Sequence, residues 1–456
     1  MKIIIIILQA ILNLVRKRRD LIANRSKIPP EYRDDVVVWY SPKKQRLTNY
    51  DVIESYAEDF TYWTINNTSI TSAQKKIVIP AGTELKYVIA YRGFNVSTDG
   101  FDIKYTGNAV ITYRYNKEDG TVGTIAIDKS GIYHLPASVR TQKNFGFYCN
   151  PQTVTEEATI EQLPTSILKD FSGNGLDAYM YGFQGKLNSG VGIYAVDFTT
   201  YSKTSVVTDV SHNTVKVVPV TSNYLFVRYA LTEMPAYTVN VQNLGNNVLT
   251  YQYATENGRR EITLTEGINE IPESIKTEED YQVGFRVNAG TGEITITQIP
   301  DYPNSLCYAG KQYCKAYGLP IFDDYTIIAR RTWFDKDGVF ANKGIGNDIT
   351  NTAFVFENKA NNKTVIRTAS FGGWNNVNIP NEGISYQTKN KYNNADITYS
   401  IGIDKSEEFA IGAYNSDNDG NFEGCHDDII IFKRSLAINE INDITEAIFN
   451  ETIIEE

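Results

Sequence analysis

The densest set of hard oxygen ligands lies in Tyr414-Asn415-Ser416-Asp417-Asn418-Asp419-Gly420-Asn421-Phe422-Glu423, where Asp417, Asp419 and Glu423 could hold a calcium ion. Glu423 comes too soon for an EF-hand loop, and Asp, Asn and Gly are also ordinary hairpin residues. Calcium is the one cofactor the sequence offers. A second chemistry is sugar recognition, in which rings stack on aromatic side chains and hydroxyls bond to amides. Trp374, Asn375 and Asn376 follow Phe371-Gly372-Gly373 in a turn and form the candidate glycan face. Trp63 and Trp333 are further aromatic candidates, Trp333 within a strand and therefore expected in a core.

Covalent and acid–base chemistry has no visible residue set. His134, His212 and His426 lie in different segments. No Gly-x-Ser-x-Gly elbow, His-Glu-x-x-His pair or phosphate-binding glycine loop occurs. The sequence thus predicts a protein that is not an enzyme, although carboxylates converging from distant strands leave no local trace. Cys149, Cys307, Cys314 and Cys425 are too few for a disulfide scaffold, and without a Cys-x-x-Cys pair zinc is not expected. Cys307 and Cys314 flank Gly310 and could face each other across a hairpin, as a disulfide or as two buried thiols. A net charge of −10 argues against nucleic acid as a partner.

The elements that would position these residues are mainly β, and part of them is written twice. Residues 101–164 and 237–300 align at an offset of 136–138. Ile111-Thr112-Tyr113-Arg114-Tyr115 matches Leu249-Thr250-Tyr251-Gln252-Tyr253, and Gly120, Gly131 and Pro136 match Gly258, Gly267 and Pro272. Glu161-Gln162-Leu163-Pro164 matches Thr297-Gln298-Ile299-Pro300. A repeat of this kind means one β module used twice. The 31 Tyr and 20 Phe suit half-buried pleated surfaces.

Residues 1–25 differ from the rest. Their apolar run is too short to span a bilayer and lacks a cleavage site before Arg16-Lys17-Arg18-Arg19. Ile4, Leu8, Ile11, Val15 and Ile22 fall on one helical stripe, the seam of a short coiled coil, and isoleucine there favours three or more strands. A membrane-surface helix with basic flanks is the competing reading. Pro29-Pro30 then ends the helix.

Beyond the repeats the chain alternates in short strands at 324–331, 353–357, 397–403 and 428–432, with Ser435 placed to cap a closing helix. Glu423-Gly424-Cys425-His426-Asp427-Asp428-Ile429-Ile430-Ile431-Phe432 with the following Lys433–Ile441 resembles the last strand and closing helix of laminin-G-like, concanavalin A-like jelly rolls. Asp170-Phe171-Ser172-Gly173-Asn174-Gly175 resembles an opening motif of the same family, and Gly310 and Tyr313 fit a hairpin of it. The resemblance implies a split jelly roll at 34–60, 165–198 and 303–456. The repeats at 61–164 and 199–302 would be insertions, and 1–33 an oligomerising or docking helix with a proline linker. The spaced acidic strand of glucanases on that fold, Glu-x-Asp-x-Glu in form, does not occur here.

This organisation resembles head-fibre, decoration or tail-fibre proteins of tailed phages, with a composition similar to those of gut Bacteroidetes phages. It implies a homotrimer at the virion surface that docks on capsid or tail proteins through its first helix and adheres to host or mucus glycans. The alternative is a bacterial cell-surface lectin held by the amino-terminal segment. Neither reading needs nucleic acid, and a membrane partner is not expected.

Overall fold

The computed structural model describes residues 28–450, apart from 50, 186, 204–206, 220–223, 230–232, 278–280, 289, 335–337, 346–347, 359–364, 379–381, 401 and 415–421. The stripe Ile4, Leu8, Ile11, Val15 and Ile22 lies outside the described residues, as do Asp417 and Asp419.

The described chain is mainly β, in sheets packed as sandwiches. Two eight-stranded sheets hold the largest core between them. In the first, Glu423–Phe432 is central. It pairs with Thr326–Trp333 on one side and, end to end, with Asp301–Ala309 and Val36–Tyr40 on the other. The second runs from Ile167–Leu168 through Ala178–Tyr181, Tyr313–Tyr317, Glu408–Ile411, Gly338–Ile345, Asp348–Asn358 and Val365–Ser370 to Gly373–Asn378. Strand alternation sends Val38, Tyr40, Ile429 and Ile431 into the shared core. Trp39, Ile430 and Phe432 go to the outer face of the first sheet. There they are covered by Ile441, Ile444 and Phe449 of the helix Ile438–Phe449, and by Ile28 and Tyr32.

The turn at 170–175 ties the sandwich together. Asp170 Oδ1 accepts the Trp39 amide at 3.0 Å. Asn174 Nδ2 donates to the Val36 and Val37 carbonyls at 2.9 and 2.8 Å. The turn requires glycine because Gly173 and Gly175 sit at φ 91° and 75°.

Each repeat forms a pair of five-stranded sheets with the same strand order. In the first copy one sheet runs Gly131–Leu135, Phe101–Thr106, Ala158–Gln162, Lys76–Ile79, Thr71–Ala73. The second copy runs Gly267–Ile271, Tyr237–Gln242, Ile294–Ile299, Thr214–Val217, Val207–Val210. Equivalent rings fill both cores. Phe60, Phe101, Tyr113 and Phe147 in one stand where Phe198, Tyr237, Tyr251 and Phe285 stand in the other. The likeness extends further back in the chain than residues 101 and 237. Asp59 and Asp197 each cap a 3₁₀ turn, accepting from Thr61 and Thr199.

The matched glutamines are clamps. Gln162 accepts the Glu58 amide at 2.9 Å and donates to the Glu58 carbonyl at 2.8 Å. Gln298 accepts from Val196 at 3.1 Å and donates to its carbonyl at 2.8 Å. A buried amide used this way supplies the backbone partners of the irregular segment that leads into each module.

Two expectations of local structure are corrected. The stretch 397–400 is not a strand. The Thr398 amide donates to the Asn375 side-chain Oδ1 at 2.9 Å, and the Ser400 amide reaches the Phe371 carbonyl at 3.2 Å, so side-chain and loop bonds replace a ladder. Ser435 does not cap the closing helix. Its hydroxyl donates to Asp324 at 2.6 Å, and the helix starts after Ala437, whose amide donates to Glu440 at 2.7 Å.

Candidate functional site

Four stretches of the chain, from the sandwich and the second repeat, meet around a cleft of about 520 Å³. Its polar lining is Thr48, Asn49, Gln184, Tyr194, His212, Asn213 and Asn304, and its apolar floor includes Leu47, Ile53, Val191 and Pro300. The described lining carries amides, hydroxyls and an imidazole, without a carboxylate, lysine or arginine.

Local chemistry fixes each of these groups. Arg46 in a left-handed conformation ends the short helix Pro42–Gln45 and turns the chain back. Asn49 then accepts the Val191 amide at 2.6 Å, which leaves its NH₂ group as donor. Ile53 and Gln184 form an isolated bridge, so the Gln184 side chain stands on the rim. Gly192, at φ 73°, lets Pro300 approach, since a Cβ there would sit 2.6 Å from the proline ring. His212 lies in the turn before Thr214–Val217, with Nδ1 2.9 Å from Asp197. Burial opposes ionisation of Asp197, but hydrogen bonds from Thr199 and His212 hold its carboxyl below the usual range. Burial pushes the Tyr194 phenol up, so at neutral pH it stays a hydroxyl; Asn213 bonds to it.

The rim is also where the backbone is strained. Tyr302 and Asn304 have φ of 53° and 67°. An aromatic residue there is uncommon and Asn less so.

The other copy meets the sandwich differently. Tyr179 donates to Asp102 at 2.8 Å, and Asp102 also bonds His134 Nδ1 at 2.7 Å. Glu408 accepts from both Lys104 and Lys315 at 2.6 Å. Burial disfavours the Glu408 carboxylate, but Lys315 and Lys104 together hold it below its ordinary value. Tyr181 and Tyr313 stack with centroids 4.6 Å apart on this face. In the second repeat the matched positions are Thr238, Asn240 and Glu270. There Thr238 and Glu270 line an open groove of about 550 Å³ instead.

The structure separates the residues expected from sequence. Trp374 and Asn376 are two apart in the edge strand Gly373–Asn378 and share a face, whereas Asn375 lies on the opposite one. Trp374 packs on Val339, Val355 and Ala369 with Tyr414, and Asn376 is exposed. Asn375 is occupied by Thr398 and by the Gly373 carbonyl. Glu423 opens its strand beside Gly310. Among the described residues, no group of three metal-ligating side chains occurs. Trp63 is core in the first repeat, donating to Glu58 at 3.0 Å, and Trp333 is core in the sandwich. The cleft residues went unnoticed because they come from four distant stretches. Only the lone His212 had drawn attention.

No protein-family profile matches the sequence, and no curated protein sequence does. Solved structures that match include three of Trypanosoma rangeli sialidase. The complex with a difluorinated keto-deoxynononic acid is 6% identical, covers 83% of each chain and has a TM-score of 0.25. The sialic acid complex is 8% identical over 83% of each chain with a TM-score of 0.23. A third sialidase structure is 6% identical over 87% of this chain and 94% of that one, also at 0.23. These are glycosidases, so the expectation that the chain is not an enzyme is withdrawn. Likeness at such TM-scores assigns neither fold family nor activity.

Proposed function

We propose that this chain is a virion surface protein of head-fibre, decoration or tail-fibre type that adheres to host or mucus glycans through the cleft between its sandwich and second repeat. In this reading the sandwich is a split laminin-G-like jelly roll at 34–60, 165–198 and 303–456. The repeats at 61–164 and 199–302 are insertions that project from it. Residues 1–33 supply a trimerising helix, seamed by Ile4, Leu8, Ile11, Val15 and Ile22, that docks on capsid or tail proteins. Trp374 and Asn376 are a second glycan contact, and Asp417, Asp419 and Glu423 a calcium loop.

The observation that carries the adhesive part is the lining of the cleft. Four amides, a phenol, a threonine hydroxyl and an imidazole offer both donors and acceptors, with no carboxylate, lysine or arginine among them, beside an apolar floor. Such a surface complements an uncharged sugar, with hydroxyls on its edge and C–H groups on its face, better than an anion or a lipid. The particle part is supported by the isoleucine stripe and by the duplication of one β module.

The test is binding of the full-length chain to an immobilised glycan array, with released sugar measured in the same wells. Binding should weaken about tenfold in Gln184→Ala and in Tyr194→Phe, the loss of one good contact each. Binding that ignores both changes would displace the site from the cleft, and silence on every glycan would end the adhesion reading. Light scattering of the full chain against one lacking residues 1–33 tests assembly. A trimer falling to a monomer is expected, and a monomer in both removes the seam.

A further inference from the structure

Four cysteines are present, and the fold sorts them. Cys149 is in the first repeat. Cys314 is on the second sheet of the sandwich, 3.4 Å from the Tyr308 hydroxyl. Cys307 and Cys425 are directly opposite each other on the antiparallel strands Asp301–Ala309 and Glu423–Phe432. Opposed residues of an antiparallel pair have Cα atoms about 4.5–5.5 Å apart, inside the roughly 4.4–6.8 Å that a disulfide spans. Both side chains are on the same face of the sheet, away from Leu306, Tyr308 and His426, and both thiols are free and buried.

We propose that Cys307 and Cys425 are a cross-strand dithiol that closes to a disulfide when the protein meets a small-molecule disulfide such as oxidised glutathione. One thiol, as thiolate, attacks a sulfur of glutathione disulfide and releases one glutathione. The second attacks the mixed disulfide and releases the other. The protein gives up two protons and two electrons, and the glutathione S–S bond takes them. The bond links the strand returning from the second repeat to the strand at the centre of the first sheet. It joins two residues 118 positions apart in the chain.

Two features set the rate. Hydrogen bonding to Cys425 and burial hold the Cys307 thiol well above its ordinary value, which keeps the thiolate scarce. Tyr302, in the exposed stretch 301–304, is near enough to Cys425 and Cys307 to feel both thiols, and its ring is 5.0 Å from that of Phe334. Closure is therefore slow, because both thiols are buried and the thiolate is scarce, so the chain can fold in a reducing cytosol and be stapled after leaving it.

The experiment is a tryptic map of the native full-length chain, run without reductant after exposure to a glutathione redox series. Cleavage after Lys311 and Lys315 puts Cys307 and Cys314 on different peptides, 287–311 and 312–315. Peptide 406–433 carries Cys425. The expected result is one linked pair, 287–311 with 406–433, a fall from four titratable thiols to two, and a thermal midpoint higher by several degrees. Cys425→Ser should remove the linked pair and the shift. Four thiols surviving a fully oxidising buffer, or linkage of Cys307 to Cys314 or Cys149, would overturn the proposal. The map on the unaltered chain decides it even if Cys425→Ser does not fold.

Discussion

A buried histidine and a buried ion pair test the sandwich core. His426 is fully buried, with Nε2 3.0 Å from the Tyr308 hydroxyl and Nδ1 facing the Asp427 carbonyl at 2.8 Å. Burial lowers its pKa from 6.5 to about 4. Between those values the unfolded chain binds a proton that the folded chain refuses, so stability falls as pH drops from about 6.5 to about 4. The loss should total on the order of 3 kcal/mol from this residue. Urea unfolding at a series of pH values should show it, and His426→Phe should flatten that part of the profile. Lys343 and Asp404 form an ion pair at 2.6 Å with both side chains fully buried. Burial pulls the lysine pKa down while Asp404 holds it up. Lys343→Met strands the carboxylate and should cost about 3–5 kcal/mol, whereas adding Asp404→Asn should recover part of it. A double mutant no more stable than the single would mean that the stranded charge is not the cause.

At the scale of elements, the repeat was legible because its signals are local. Tyr113 and Tyr251, Gly131 and Gly267, and Gln162 and Gln298 sit at fixed places in strands and turns, and strands keep their alternation in the sequence. Its first segment was missed, since Asp59-Phe60-Thr61 and Asp197-Phe198-Thr199 are too short to stand out alone. The role of the glutamines was not legible, because their partners Glu58 and Val196 lie about a hundred residues away. The cleft was hidden for the same reason, as no stretch holds more than a few of its residues. Conversely, Trp374-Asn375-Asn376 looked like one face only while it was taken for a turn; a strand sends neighbours to opposite sides. The clamps give a direct test. Gln298→Ala leaves the Val196 amide and carbonyl without their partner, at about 1–3 kcal/mol. Hydrogen exchange should quicken around residues 195–201 and not in the first repeat. Gln162→Ala should do the reverse, and exchange rising equally in both would show global loosening instead.

Across the whole molecule, two copies of one module are joined to the sandwich by different chemistry. The first copy is fastened by charge and phenol contacts centred on Glu408, and the second leaves its equivalent face open beside the groove. Lys104→Met combined with Asp102→Asn should free the first copy while its own core of Phe60, Phe101 and Phe147 stays intact. Small-angle scattering should then report a larger radius of gyration with an unchanged far-ultraviolet spectrum, and the effect should be mimicked in part by high salt. An unchanged radius would mean that the Tyr181–Tyr313 stack and the covalent linkers suffice to hold it.

The pairing of Val36–Tyr40 with Glu423–Phe432 also has a mechanical meaning. Val36 faces Phe432, so the chain enters one strand and leaves the other at the same edge of the sheet. Ile28 and Phe449 lie in one cluster on the outer face of that sheet. Tension applied across residues 28 and 449 therefore peels the two strands apart one backbone bond at a time, rather than shearing the whole ladder at once. Pulled that way, the molecule should open at low force, starting with the helix and the strand Val36–Tyr40. Both repeats should remain folded until the sandwich has given way.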